Sequence, residues 1–225
     1  MPAEELSVTE SVVVITGAGP LDPRAVAALP AGAMLIAADG GLDHALAAGL
    51  EPALLIGDLD SITASGLEWA RAHAEVVEFP ADKGATDTEL AIERAASVHP
   101  ERLVLLAGRA DRERLDHLVT TLGALGAPHL TGIASLEAWW GGDHLWVLHG
   151  PGKVELDLPE ATTFSVLAMH GPCLGVTVEG ARWPLVDHAL APLVGLGVSN
   201  EAAARPVSVS VTTGIVTVVT PGDQP

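Results

Sequence analysis

Two aspartates separated by one residue stand in the run Gly57-Asp58-Leu59-Asp60-Ser61, directly after a short apolar stretch. Carboxylates at i and i+2 just beyond a strand can converge on one hard cation. Mg2+ takes one or two carboxylates and completes its octahedron with water and substrate phosphates. The same spacing also suits an Asx-turn, in which both side chains accept from local amides. Further acids recur at comparable places: Asp39-Gly40-Gly41, Asp82-Lys83-Gly84-Ala85-Thr86-Asp87 and Arg114-Leu115-Asp116-His117. Thr86-Asp87-Thr88-Glu89 has the spacing of a capping box, with Thr86 as N-cap and Glu89 three residues on. Asp87 is then either a first-turn acid complementing the helix dipole or a functional group beside Lys83. Lys83 is one of only two lysines, the other being Lys153. In an acidic loop it suits phosphate binding; the alternative is a solvated surface lysine. Arg114 and Asp116 project to different sides of a helix start, so they do not form one exposed stripe. His117 alone is more often a structural histidine than a catalyst.

The elements that must carry these residues follow from hydrophobic periodicity. Val12–Ile15, Met34–Ala38, Ala53–Ile56, Val76–Phe79 and Leu103–Ala107 are near-continuous apolar runs, as strands covered on both faces require. Between them lie helix-like stretches at about 22–29, 43–49, 64–73, 86–98 and 112–125. Alternating strand and helix implies a mainly parallel, Rossmann-like sheet with right-handed crossovers. Ligands bind outside the carboxyl ends of such strands, which is where the acids fall. From about residue 150 the pattern changes. Val154–Leu158, Phe164–Met169, Val176–Val178, Val207–Val211 and Ile215–Val219 are short, partly alternating and punctuated by Gly and Pro, as in an antiparallel sandwich or barrel. The expectation is an α/β domain over 1–149 and an all-β sandwich or barrel domain over 150–225. The second domain is small enough to need a partner to pack against.

Composition narrows the function classes. The chain of 225 residues carries 29 Asp and Glu against 11 Lys and Arg, a formal charge of −18. So acidic a chain repels phosphate backbones and anionic lipid surfaces, which argues against nucleic acid and membrane as partners. A phosphorylated ligand needs a local exception, either a metal ion or a few placed cations. Hydrophobic residues make up 48% of the chain, enough for a real core, and no apolar run approaches a membrane span. The opening MPAEELSVTE lacks the pattern of a signal peptide, and the single cysteine, Cys173, excludes an internal disulfide framework. A reducing cytoplasm is therefore expected. Gly17-Ala18-Gly19 after the first strand lacks the third glycine of a dinucleotide turn, so it is weak evidence for a nicotinamide oxidoreductase. The nine histidines form no zinc-type spacing.

Taken in order, the acidic runs, together with Gly180-Ala181-Arg182-Trp183-Pro184-Leu185 and Gly197-Val198-Ser199-Asn200-Glu201, resemble the thiamine pyrophosphokinase family from about residue 12 to 220. The resemblance implies the two-domain architecture expected above and a homodimer whose active sites lie between the N-domain of one subunit and the C-domain of the other. It implies transfer of pyrophosphate from ATP to thiamine, giving AMP and thiamine diphosphate, with Mg2+. By that match Asp58, Asp60 and Asp87 surround the metal and polyphosphate. Asp39, Gly40, Lys83, Thr86, Arg114 and His117 lie at the nucleotide, and Arg114 and Asp116 line the same cleft. Asp60, Asp87 and Asp116 are the candidates for accepting the hydroxyl proton of thiamine. Trp183 packs on the thiamine ring, and Ser199 and Asn200 belong to its pocket. This chain departs from the family pattern at Gly84, where an acid is common, at Thr121, where Asn is common, and in the run Gly108-Arg109-Ala110-Asp111-Arg112-Glu113. The alternatives are a pyrophosphokinase for another hydroxyalkyl heterocycle such as a pterin, and a binding module without catalysis.

Overall fold

The computed structural model describes residues 10–17, 19–109 and 114–222. It divides into two compact units, 1–113 with 133–135, and 114–132 with 136–225.

The N-terminal unit is an α/β layer arrangement. Its strands are β1 (Ser11–Gly17), β2 (Met34–Ala38), β3 (Leu54–Gly57), β4 (Glu75–Glu78) and β5 (Arg102–Gly108). All pair in parallel, in the spatial order β5-β1-β2-β3-β4. The helices between them are α1 (Pro23–Ala27), α2 (Gly41–Ala47), α3 (Ala64–His73) and α4 (Asp87–Ala96). Val12–Ile15 and Leu103–Leu105 are fully buried, as strands covered by helices on both faces must be. The first four strands build outward from β1; the chain then returns through α4 to set β5 on its other side. That return makes α4 cross β1, β2 and β3, so its N-terminus comes over the carboxyl ends of those strands. A hydrogen bond of 2.6 Å between the hydroxyls of Thr16, at the end of β1, and Thr88, in the first turn of α4, fixes the crossing. At the switch point Gly17 and Gly108 pair directly; a Cβ on Gly17 would come within 2.6 Å of the Gly108 carbonyl oxygen.

The second unit begins with α5 (Leu115–Ala124) and a short 3-10 turn, Pro128–Leu130. Its strands are β6 (Ser135–Trp140, whose first residue belongs to the N-terminal unit), β7 (Asp143–His149), β8 (Gly152–Leu156), β9 (Thr163–Leu167), β10 (Cys173–Glu179), β11 (Leu185–Leu190), β12 (Asn200–Glu201), β13 (Val207–Val211) and β14 (Ile215–Thr220). They form antiparallel sheets with the orders β12-β9-β14-β7-β6 and β11-β10-β13-β8. Alternate residues of both sheets, among them Phe164, Val166, Val216, Val178 and Val209, fill one apolar core.

The expected strands and helices of the first 125 residues are all present, with α3 and β2 at the expected bounds. The hairpin β6–β7, around Gly141-Gly142, and the strands β11 and β12 lie where no element was expected. The compact units also divide earlier than 149/150. The ring of His149 bonds the Leu125 carbonyl at 3.0 Å, and that of His170 bonds the Leu122 carbonyl at 2.9 Å. These bonds tie the C-terminal end of α5 to the end of β7 and to the loop after β9. No helix among the described residues is long and apolar enough to cross a membrane.

Candidate active site

Asp39 follows β2, Asp58 follows β3, and Asp87 opens α4, so three crossovers deliver one carboxylate each to the carboxyl edge of the parallel sheet. One oxygen from each lies within 4.8 Å of the other two. Asp39 sits at φ 45°, a left-handed conformation that aspartate tolerates better than most residues. Gly57 makes room for it, since a Cβ there would stand 2.9 Å from the Asp39 Cβ. The Ser61 hydroxyl donates to Asp39 Oδ2. Asp39 Oδ1 is buried with no hydrogen-bond partner among the described residues, in a residue only 8% exposed. An unsatisfied buried carboxylate oxygen is costly unless a cation or donor completes it.

Lys83, in the loop after β4, reaches into the same cluster. Its Nζ lies 3.0 Å from Asp58 Oδ2 and 3.1 Å from Asp87 Oδ1. The hydrogen bond from Lys83, aided by its charge, outweighs burial and holds the Asp58 carboxyl below its usual pKa. Burial works against the Lys83 ammonium, but its bonds to Asp58 and Asp87 outweigh that and raise its pKa. Asp87 is positioned by the cap of its helix. Thr86 Oγ1 accepts from the Glu89 amide at 3.2 Å, and Glu89 accepts from the Thr86 amide at 2.7 Å, a complete capping box.

Asp60 does not join this cluster. Leu59, between the two acids, adopts φ 64° and packs with the apolar group of Ala37, Leu42, Leu55 and Ala70. With Leu59 anchored inward, Asp58 is turned to the ammonium and Asp60 is left exposed. Gly40 lies beside Ser61, where a Cβ would meet its hydroxyl at 3.0 Å. In the sequence Ser61 is marked only by its place at the end of the Asp58-x-Asp60 run, which does not reveal its bond to Asp39.

The remaining expected residues belong to the other compact unit. Arg114 precedes α5 and, contrary to the expectation that the two project apart, forms a two-pronged ion pair with Asp116, at 3.2 and 2.5 Å. The Arg114 hydrogen bond lowers the Asp116 pKa, and both side chains are largely exposed. His117 is exposed in the first turn. Trp183 is 51% exposed. Buried Asn200 holds its backbone twice, accepting from the Trp183 amide at 3.1 Å and donating to its carbonyl at 2.7 Å. The Arg182 guanidinium lies 4.8 Å from the Trp183 ring centre and pairs with Glu201 at 2.7 Å. Exposed Ser199 sits at φ 57°, with its amide donating to the Ser165 hydroxyl at 3.1 Å. Ala18 of the glycine turn, and Ala110, Asp111, Arg112 and Glu113 of the run before α5, lie outside the described residues.

Residues 28–134 match the family described as "Thiamin pyrophosphokinase, catalytic domain", and residues 153–216 match "Thiamin pyrophosphokinase, vitamin B1 binding domain". The chain belongs to the thiamin pyrophosphokinase family. This family consists of pyrophosphotransferase enzymes, and its vitamin B1 domain supports thiamine as a substrate. Solved structures agree on the fold. The thiamine pyrophosphokinase of Bacillus subtilis superposes with a TM-score of 0.78 at 21% identity, over 95% of this chain and 100% of that one. The thiamin pyrophosphokinase of Geobacillus thermodenitrificans gives 0.74 at 25% identity, over 95% and 98%. The yeast thiamin pyrophosphokinase gives 0.69 at 16% identity, over 97% and 87%. No curated protein sequence matches the chain.

Proposed function

We propose that this thiamin pyrophosphokinase family member transfers the pyrophosphoryl group of Mg-ATP to the hydroxyl of thiamine, releasing AMP and thiamine diphosphate. It works as a cytoplasmic homodimer, with a Rossmann-like catalytic domain and a β-sandwich domain that binds thiamine. The observation that carries this reading is the cluster of Asp39, Asp58 and Asp87 with its unpartnered Asp39 oxygen, in a chain of this family.

The donor set fits Mg2+. All three residues offer hard carboxylate oxygens, and the buried Asp39 Oδ1 awaits a positive partner. We infer that Asp58 and Asp87 hold the ion together with Asp39, while Asp60, expected as a ligand from its spacing, stands exposed outside that set and faces the substrate. A bound Mg2+ supplies charge neutralisation for the polyphosphate during transfer. The chain's own residues position the reactants and move the proton. Lys83 binds phosphate oxygens as a point charge, and the Thr86 end of α4 offers its dipole to anionic oxygens. Gly40 leaves backbone room for the nucleotide, and Arg114 and His117 complete its site.

The thiamine hydroxyl attacks the β-phosphorus, the bond to the α-phosphate oxygen breaks, and AMP leaves. The hydroxyl proton passes to a carboxylate within reach, for which Asp60, Asp87 and Asp116 are the candidates. Asp60 is the least committed, because no ion pair among the described residues holds it. Thiamine is cationic; the face of Trp183 attracts it, with Ser199 and Asn200 shaping the pocket.

Incubation of the purified protein with Mg-ATP and thiamine, with nucleotide products separated by chromatography, tests this reading. AMP and thiamine diphosphate in equal amounts are expected. ADP as the product, or a pterin alcohol accepted in preference to thiamine, overturns it.

A further inference from the structure

We propose that Lys83 is an internal counter-cation that competes with free divalent metal for Asp58 and Asp87, so that the metal enters efficiently only when a polyphosphate takes the ammonium away. This inference rests on the metal site proposed above.

The geometry makes the two cations exclusive. The Lys83 nitrogen stands 3.0 Å from an Asp58 oxygen and 3.1 Å from an Asp87 oxygen, so it sits between the two groups rather than beside them. Mg2+ binds oxygens at about 2.0–2.1 Å, so two oxygens of one coordination shell lie at most about 4.2 Å apart. An ammonium bridging the same two carboxylates stands where that ion would stand. The side chain is 13% exposed, and those of Asp58 and Asp87 are 16% and 20% exposed. The contact is therefore screened less than a surface pair.

The balance of charge is incomplete, however. One ammonium faces three carboxylates and pairs with Asp58 and Asp87, while Asp39 Oδ1 keeps no hydrogen-bond partner among the described residues. The cluster is thus held together without metal but remains short of positive charge, which is the condition for exchanging a monovalent cation for a divalent one. Lys83 also has the means to leave. It has four rotatable carbons and stands next to Gly84, where an added Cβ would meet nothing within 4 Å. A triphosphate at the carboxyl edge offers the ammonium new anionic partners while carrying its own Mg2+. Nucleotide and metal binding become mutually favourable through the displacement of one side chain, a coupling that works in both directions.

The test is Mn2+ binding without nucleotide, followed by the electron-paramagnetic signal of free Mn2+, for wild type, Lys83→Met, Lys83→Gln and Asp39→Asn. Far-UV circular dichroism checks folding, and the second lysine variant stands in if the first does not fold. Both lysine variants are expected to bind Mn2+ at least about tenfold more tightly than wild type, because the competing cation is gone. With a non-hydrolysable ATP analogue at saturation the advantage should vanish or reverse, since Lys83 then assists the phosphate. Unchanged or weaker Mn2+ affinity in the lysine variants, with Asp39→Asn still losing the binding that wild type has, overturns the competition while leaving the metal site standing. Absence of Mn2+ binding in every protein, with and without the analogue, overturns the metal site and the competition with it.

Discussion

At Asp39, Asp58 and Asp60 the difference between a motif and a site comes down to backbone conformation. The i, i+2 spacing of Asp58 and Asp60 suggested a shared cation, and the acids at the strand ends were all visible in the sequence. The structure pairs Asp58 with Asp39 and Asp87 within 4.8 Å and leaves Asp60 exposed, because Leu59 turns inward at φ 64°. A bulky residue in the left-handed region leaves no mark in the sequence, so neither this partition nor the Ser61 bond to Asp39 could be read there. The partition makes the two aspartates separable by experiment. Asp39→Asn should weaken Mn2+ binding and reduce turnover by orders of magnitude, because it removes a buried charge aimed at the cation. Asp60→Asn should leave Mn2+ affinity within about threefold of wild type while lowering kcat, as expected for a group that meets the substrate rather than the metal. Titration calorimetry and steady-state kinetics on the two variants check the split; equal loss of Mn2+ affinity in both would remove it.

Helix α4 shows how far local sequence signals reach. Its capping box was readable from Thr86 and Glu89, and both reciprocal bonds are present. That the cap lies over β1 to β3 depends on β5 returning beside β1, which no local pattern encodes. Thr86→Ala should destabilise the protein by about 1 kcal/mol and lower activity, since Asp87 loses the turn that aims it; Glu89→Gln, which preserves the box, should largely keep both. Urea unfolding and turnover measured together check this. Strand β7 and the docking of α5 were harder to read. Trp139, Trp146 and the Gly141-Gly142 turn belong to a hairpin whose apolar run is broken by His144, and that ring stacks on Trp139 at 3.9 Å between centroids. The end of α5 is set by His149 and His170, whose carbonyl bonds arise only on folding. Burial is the largest influence on His149, and with the nearby His170 and His129 it outweighs the opposing bond to Leu125 and lowers the pKa from its usual value. With the folded pKa depressed, the unfolded chain binds the proton more readily. The stabilisation is complete above about pH 6.5 and is lost as pH falls toward the folded value. His149→Gln should flatten that part of the stability–pH profile, which thermal melts between pH 7 and 5 would reveal; an unchanged slope would mean that another group titrates there.

For the whole chain, the charge of −18 and the exposed apolar surface act against each other. The charge opposes association of two copies, yet Trp183, Val186, Leu193, Val194, Leu196 and Val198 are all exposed within one short stretch of the second unit, Val186 at 80% and Leu193 at 73%. Val186 lies on β11, an edge strand of its sheet, and an edge bearing apolar side chains is a surface that proteins ordinarily cover. A second copy in the proposed homodimer is the partner expected to cover it. Burying a Val or Leu side chain contributes about 1.5–3 kcal/mol, a gain that opposes the repulsion. Sedimentation should therefore give a dimer at micromolar concentration, tighter as salt screens the like charges. Val186→Glu combined with Leu193→Glu should yield folded monomers. Those monomers should still bind Mn2+, because Asp39, Asp58, Asp87 and Lys83 all belong to the N-terminal unit. They should turn over thiamine poorly if the Trp183 pocket of one subunit serves the aspartate cluster of the other. Monomers with full activity would show that each chain holds a complete site, and a wild-type monomer would remove the dimer from the proposal altogether.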